Sequence, residues 1–158
     1  MDETYARVNG RWCHLWRAVD QCGQLIDFRL TARKNASAAR AFMRQASETA
    51  RCYYPLTVVT DKAHTYAKVI EEMNFGNGPG DRIRHLDQKH LNNRIEADHV
   101  ALKQILGPKR NFRQFAAAKN TLKDIETHRA IKKGHFANNE PGIMNEIAFV
   151  AKLFNLSA

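Results

Sequence analysis

Cysteine is scarce in this chain: Cys13, Cys22 and Cys52 are the whole supply among 158 residues. An odd number without Cys-x-x-Cys spacing indicates neither a disulfide framework nor a structural zinc site, and suits a reducing cytoplasm. Long apolar runs are missing too. No stretch approaches the roughly 20 residues of a membrane span, and the opening Met1-Asp2-Glu3 lacks the apolar core of a signal peptide. A soluble intracellular protein is therefore expected. There is no internal repeat and no low-complexity tract, and the one breaker-rich loop, residues 76–81, is too short to link domains. One compact domain over 1–158 is expected, with a core of 1–134 and a carboxyl-terminal tail of 135–158. A chain of this length buries roughly two thirds of its unfolded surface.

Acidic residues are the minority charge, 16 against 25 Lys and Arg, for a formal net charge of +9. The excess is uneven. Between Lys103 and Lys133 stand nine basic residues, among them Lys109 and Arg110, against Asp124 and Glu126 alone. Such a local surplus points to a polyanionic partner, because phosphate neutralisation dominates nucleic-acid affinity. A merely solubilising basic helix is the plainer alternative.

Three strands joined by two tight turns are expected over residues 2–32. Asn9-Gly10 is a two-residue hairpin signal, since both residues tolerate positive φ. The second run alternates, Trp12, His14, Trp16 and Ala18 against Cys13, Leu15, Arg17 and Val19, and the third sets Ile26, Phe28 and Leu30 against Leu25, Asp27 and Arg29. Asn35 is the expected N-cap of a helix whose buried stripe is Ala39, Phe42, Met43, Ala46 and Ala50. Residues 56–60 form a short β-branched strand with Asp61 at its carboxyl end. A helix then carries Tyr66, Val69, Ile70 and Met73 inward, and residues 82–86 make a brief last strand. Residues 91–106 read as a helix capped by Asn92 or Asn93 and stopped at Gly107-Pro108. The next helix is expected over 112–133 with Phe115, Ala118, Leu122, Ile125 and Ile131 inward, followed by an apolar segment at 147–156 that packs back. A meander feeding a strand-helix-strand unit gives an α/β, ribonuclease-H-like fold, a mixed five-stranded sheet flanked by helices.

Three carboxylates on separate elements suit a two-metal site for nucleic-acid phosphates: Asp2 on the first strand, Asp61 after the fourth, Glu96 early on a helix. Ligands gather at the carboxyl ends of strands in sheets with strand-helix crossovers, where Asp61 lies. Residues 62–95, 34 in all, separate Asp61 from Glu96, enough for the elements that let the two converge. Lys103 follows on the face of Glu96, two turns on. Sixteen acids allow other choices, and Asp20, Asp27, Asp81, Asp87 and Asp98 remain open alternatives. His90 and His99 are possible ligands, although a histidine on a helix face is more often structural.

These residues also carry a resemblance. Asp2-Glu3-Thr4-Tyr5, Val8-Asn9-Gly10-Arg11-Trp12, Arg17-Ala18-Val19-Asp20, Thr60-Asp61-Lys62-Ala63, Asn92-Asn93, Ile95-Glu96-Ala97-Asp98-His99 and Leu102-Lys103 resemble, in order, the catalytic domain of bacterial insertion-sequence transposases of the IS-six group. The stretches around Asn111-Phe112 and from Asp124 to Gly134 are similar to the downstream helix of that group. The resemblance implies an Asp-Asp-Glu enzyme with Asp2, Asp61 and Glu96 as catalytic metal ligands for two Mg2+ ions, Mn2+ being able to substitute. It implies Lys103 as a phosphate contact, with Lys62, Lys109 and Arg110 as further DNA-binding candidates and His99 and Asn93 as neighbours in support. Transposon ends and target DNA are the implied partners, the assembly a homodimer or larger, and the place the bacterial cytoplasm, at the nucleoid. Members carry a helix-turn-helix ahead of the first Asp; only Met1 precedes Asp2 here, so a domain without that reader is expected, as a fragment, a truncated frame or a product of internal initiation. A strand that begins with its catalytic residue is also expected to fray. A remnant that binds DNA or full-length transposase without cutting, and a nuclease that only hydrolyses, are the competing readings.

Overall fold

The computed structural model describes residues 1–50, 57–60, 64–87, 93–107, 111–136 and 141–154. They fall into two compact units, 1–113 and 114–158. In the first, β1 (Asp2–Val8), β2 (Arg11–Val19) and β3 (Leu25–Thr31) form the expected antiparallel meander. Asn9 and Gly10 turn the first hairpin at φ of 47° and 73°, the pair of left-handed residues that matches strand twist. At the second turn the Asp20 carboxylate accepts from the amides of Cys22 and Gln24, both at 2.8 Å, and Gly23 supplies the positive φ.

Helix α1 (Ala36–Thr49) starts where expected, the Asn35 side chain accepting from the Ala38 amide at 2.8 Å. Its buried stripe is Ala39, Phe42, Met43 and Ala46, with Ala50 at the C-cap. Then come β4 (Thr57–Thr60), α2 (His64–Asn74), a 3-10 turn at Pro79–Asp81 and β5 (Arg84–Asp87), which pairs in parallel with β4. One core joins these pieces. Trp16 and Ala18 of β2 pack with the α1 stripe, with Val58 of β4, with Tyr66, Val69 and Ile70 of α2, and with Ile83. Each large apolar side chain so buried contributes about 1.5–3 kcal/mol.

Pairing among the described residues differs from the expected five strands. The ladders run β3-β2-β1-β6 in one sheet and β4-β5 in another. The added strand β6 (Asn111–Phe112) runs parallel to the end of β1, Val8 opposite Phe112. Between β1 and β4 the Met1 amine donates to the Val59 carbonyl at 2.6 Å. Helix α3 (Asn93–Leu106) packs on β1 and ends at Gly107, whose φ is 68°.

The second unit holds α4 (Phe115–Lys132) and α5 (Ile143–Leu153). Helix α4 starts three residues later than expected because Asn111 and Phe112 are spent on β6. Its stripe also differs. Ala118 and Leu122 are buried as expected, but the stripe continues through Glu126 and Arg129, whose charges meet at 3.2 Å, while Phe115 is exposed and Ile125 and Ile131 are half-buried. A helix can bury a charged pair at i and i+3 when each answers the other. Helix α5 begins earlier than the expected apolar segment, and its Phe149 stacks on Phe136 with ring centroids 5.6 Å apart.

Candidate active site

Ile95, His99 and Leu102 recur at the spacing of one helix face, and all three are buried. That face seats α3 on the strand that carries Asp2. The fraying expected at Asp2 is not seen: the residue pairs in register with Arg17 and is 8% exposed. One carboxylate oxygen, Oδ1, accepts from the Glu3 amide at 2.8 Å, and the other, Oδ2, lies 3.6 Å from His99 Nδ1. This contact is not an ion pair, because the ring is neutral. Burial, then the nearby charges of Arg17 and Lys103, push the His99 pKa down to about 3. Its other nitrogen, Nε2, is buried with no hydrogen-bond partner among the described residues.

Glu96 stands one turn before His99, half-buried in the first turn of α3, where a carboxylate is favoured by the helix dipole. Residues three apart on a helix are surface neighbours, so Glu96 emerges beside His99. Lys103, one turn beyond His99, is exposed in the last turn. The helix thus presents an acid, the buried ring and a cation along one side.

Arg17 is the site residue that sequence reasoning passed over. It is fully buried opposite Asp2, and its Nη2 donates to Asp98 Oδ2 at 2.6 Å. Asp98 therefore holds the arginine. The signal was present: a two-residue turn at Asn9-Gly10 forces Val8 against Arg11 and, counting outward, Asp2 against Arg17. Two further contacts were also missed. Lys34 Nζ meets Glu3 Oε1 at 2.5 Å, and the buried Thr60 hydroxyl meets His85 Nε2 at 2.8 Å at the end of β4.

Asp61, which follows Thr60 directly, lies outside the described residues, as do Lys62, His90, Asn92, Lys109 and Arg110. Among the described residues no three of His, Cys, Asp and Glu gather into a metal-binding group. What is described is a buried aspartate and a half-buried glutamate on two elements packed together. Both offer the hard oxygen donors a divalent cation takes, and the neutral His99 beside them adds no opposing charge.

The family described as the DDE domain, of IS240-type transposases, matches residues 1–135. The chain belongs to the DDE domain family of insertion-sequence transposases, in the IS-six group. The transposase for insertion sequence-like element IS431mec of Staphylococcus aureus (strain Mu50 / ATCC 700699) is 34% identical to this DDE domain over 137 residues, which are 84% of this chain and 57% of that protein. The transposase for insertion sequence element IS257 in transposon Tn4003, also from Staphylococcus aureus, is similar to the same degree and over the same shares. The chain thus spans 57% of the length of these curated relatives. A DDE domain has the α/β fold of ribonuclease-H type and depends on divalent metal, and the mixed strands, flanking helices and oxygen donors of this chain fit both.

Proposed function

We propose that this chain is the catalytic domain of a transposase, with Asp2, Asp61 and Glu96 as its metal ligands, cutting DNA at transposon ends and joining the freed 3′-hydroxyl to target DNA. The observation that carries the reading is the seating of α3 on β1: it brings His99 to 3.6 Å from Asp2, with Glu96 on the adjoining turn. Two Mg2+ ions, or Mn2+ in their stead, supply Lewis-acid activation of the attacking oxygen and neutralise charge at phosphorus when bound there. The chain's own residues do the rest. Asp98 engages the Arg17 charge, so that the cation opposite Asp2 is answered from α3. His99, uncharged and fixed by packing, sets the position of the Asp2 carboxylate without competing for it. Lys103 holds a DNA phosphate beside the carboxylates, and Lys62, Lys109 and Arg110 extend the contact along the backbone.

In this reading β1 to β5 act as one mixed sheet of ribonuclease-H order, β4 beside β1, supported by the Met1–Val59 hydrogen bond and the shared core. Residues 1–158 serve one DDE domain that works as a homodimer or larger assembly on paired ends, in the bacterial cytoplasm at the nucleoid. The test is cleavage and joining of end-bearing DNA in Mg2+ or Mn2+, together with calorimetric titration of Mn2+. Glu96→Gln and Asp61→Asn are each expected to lose more than about 100-fold in rate and to weaken Mn2+ binding, as loss of a direct ligand exceeds the effect of losing its supports. Equal activity in parent and both variants overturns the catalytic assignment. DNA binding without metal binding in the millimolar range identifies a non-cutting remnant instead.

A further inference from the structure

The two faces of the β1–β2 hairpin have different fates. Asp2, Thr4 and Ala6, with their partners Arg17, Leu15 and Cys13, form the buried side. Glu3, Tyr5 and Arg7, opposite Trp16, His14 and Trp12, form the other. Near Trp16 that second side is covered, the indole packing 6.4 Å from the Phe42 ring. Near the turn it is bare. Trp12 is 62% and Tyr5 46% exposed, and Arg7 is exposed beside them, whereas Arg11, opposite Val8, belongs to the other side. Tyr5 stands edge-on to both Trp12 and His14, at 6.4 and 5.2 Å, and the Arg7 guanidinium lies 5.8 Å from the Trp12 ring centre. The platform is braced: the Asn9 amide donates to the Phe112 carbonyl at 2.7 Å and the Gly10 amide to Asn111 Oδ1 at 3.0 Å, tying the turn to β6. The carboxylate of this face, Glu3, is engaged by Lys34.

We propose that the Tyr5, Arg7, Trp12 and His14 face of the hairpin is a stacking platform for an unpaired DNA strand, on the side of the sheet opposite to Asp2. Exposed aromatic rings beside the Arg7 guanidinium fit a single strand, whose bases offer π-faces and whose backbone offers phosphates; a duplex keeps its base faces hidden. With Glu3 answered by Lys34, the Arg7 guanidinium leaves this face cationic, which favours a polyanion over a protein partner. The inference borrows from the preceding reading only that the chain meets DNA, and it requires no metal.

The experiment titrates the whole chain, in EDTA, with a labelled thymidine 12-mer and with a duplex of equal length. Trp12 is one of two tryptophans and the exposed one, so its fluorescence reports stacking directly. Saturable quenching by the single strand is expected. Trp12→Ala should abolish the quenching and weaken single-strand binding about ten-fold while leaving duplex binding within two-fold, and Trp12→Phe should restore most of the affinity. Tyr5→Leu keeps the reporter and should weaken the single strand about five-fold. Equal single-strand affinity in parent and Trp12→Ala overturns the proposal, and so does a parallel loss of duplex binding. A shift from dimer to monomer in Trp12→Ala with unchanged DNA binding assigns the face to a second copy of the chain instead. Quenching without metal-dependent cleavage leaves the platform standing and removes the catalytic assignment, whereas absence of all DNA binding removes both.

Discussion

Arg17 has no exposed surface, lies opposite Asp2 and donates to Asp98 at 2.6 Å. Removing the anion from such a pair leaves a charge stranded in a poorly polarisable interior, which costs far more than a surface pair is worth. Asp98→Asn is therefore expected to lose about 3 kcal/mol, seen as a fall of about 1–2 M in the urea midpoint. A midpoint shift below about 0.3 M would mean that Arg17 draws its compensation from elsewhere. The sequence allowed Asp98 as one of several rival metal ligands; in the fold its carboxylate accepts from Arg17 across 81 residues, a contact no local rule gives. Glu96 was legible because a helix start, an acid and a cation seven residues later are local features. His99 was legible only through the resemblance, as a neighbour in support, and its contact with Asp2 was not, because no local rule relates the first residue of a strand to a histidine 97 positions away.

Elements with strong local chemistry came through the sequence intact. The Asn9-Gly10 hairpin, the Asn35 cap and the stripes of α1 and α2 each rest on a turn residue, a side-chain acceptor or a 3.6-residue period. Asn35→Ala removes the acceptor for the Ala38 amide and is expected to destabilise the chain by about 1 kcal/mol, checked by thermal or urea unfolding. Replacement by Asp or Ser should recover most of it, which separates capping from packing. Elements defined by partners were lost. A two-residue strand such as β6 has no period to detect; it is held by the hairpin turn, whose amides need the acceptors that Asn111 and Phe112 provide. Helix α4 was misread inward for a related reason, since its buried face contains Glu126 and Arg129, residues that hydropathy assigns to solvent. The exposure of Trp12 is a different case. Alternation groups it with Trp16 on one face but carries no information on how far that face is covered, and the cover ends before the turn.

For the whole molecule the net charge of +9 has a measurable consequence that sums over contacts wherever they fall. Arg129 is paired with Glu126 and adds nothing to the external field, but Lys103, Arg113, Lys119, Lys123, Lys132 and Lys133 all stand exposed. If about five of them reach phosphate, counterion release gives a slope of roughly −4.5 in log K against log salt, a loss of about 500-fold in duplex affinity between 50 and 200 mM. Lys103→Ala should then lower the slope by about one and weaken all duplex sequences alike, the behaviour of a backbone contact rather than a reader of bases. Lys103 stands apart from the other cations because it also sits on α3 near His99. Its loss is therefore expected to slow metal-dependent cleavage at saturating DNA, whereas Lys119→Ala, on α4, should change affinity and salt slope alone. Fluorescence anisotropy across a salt series, paired with single-turnover cleavage, separates the two. A slope near zero in the parent would show that the basic surplus serves solubility, and equal cleavage by the two variants would remove Lys103 from the site.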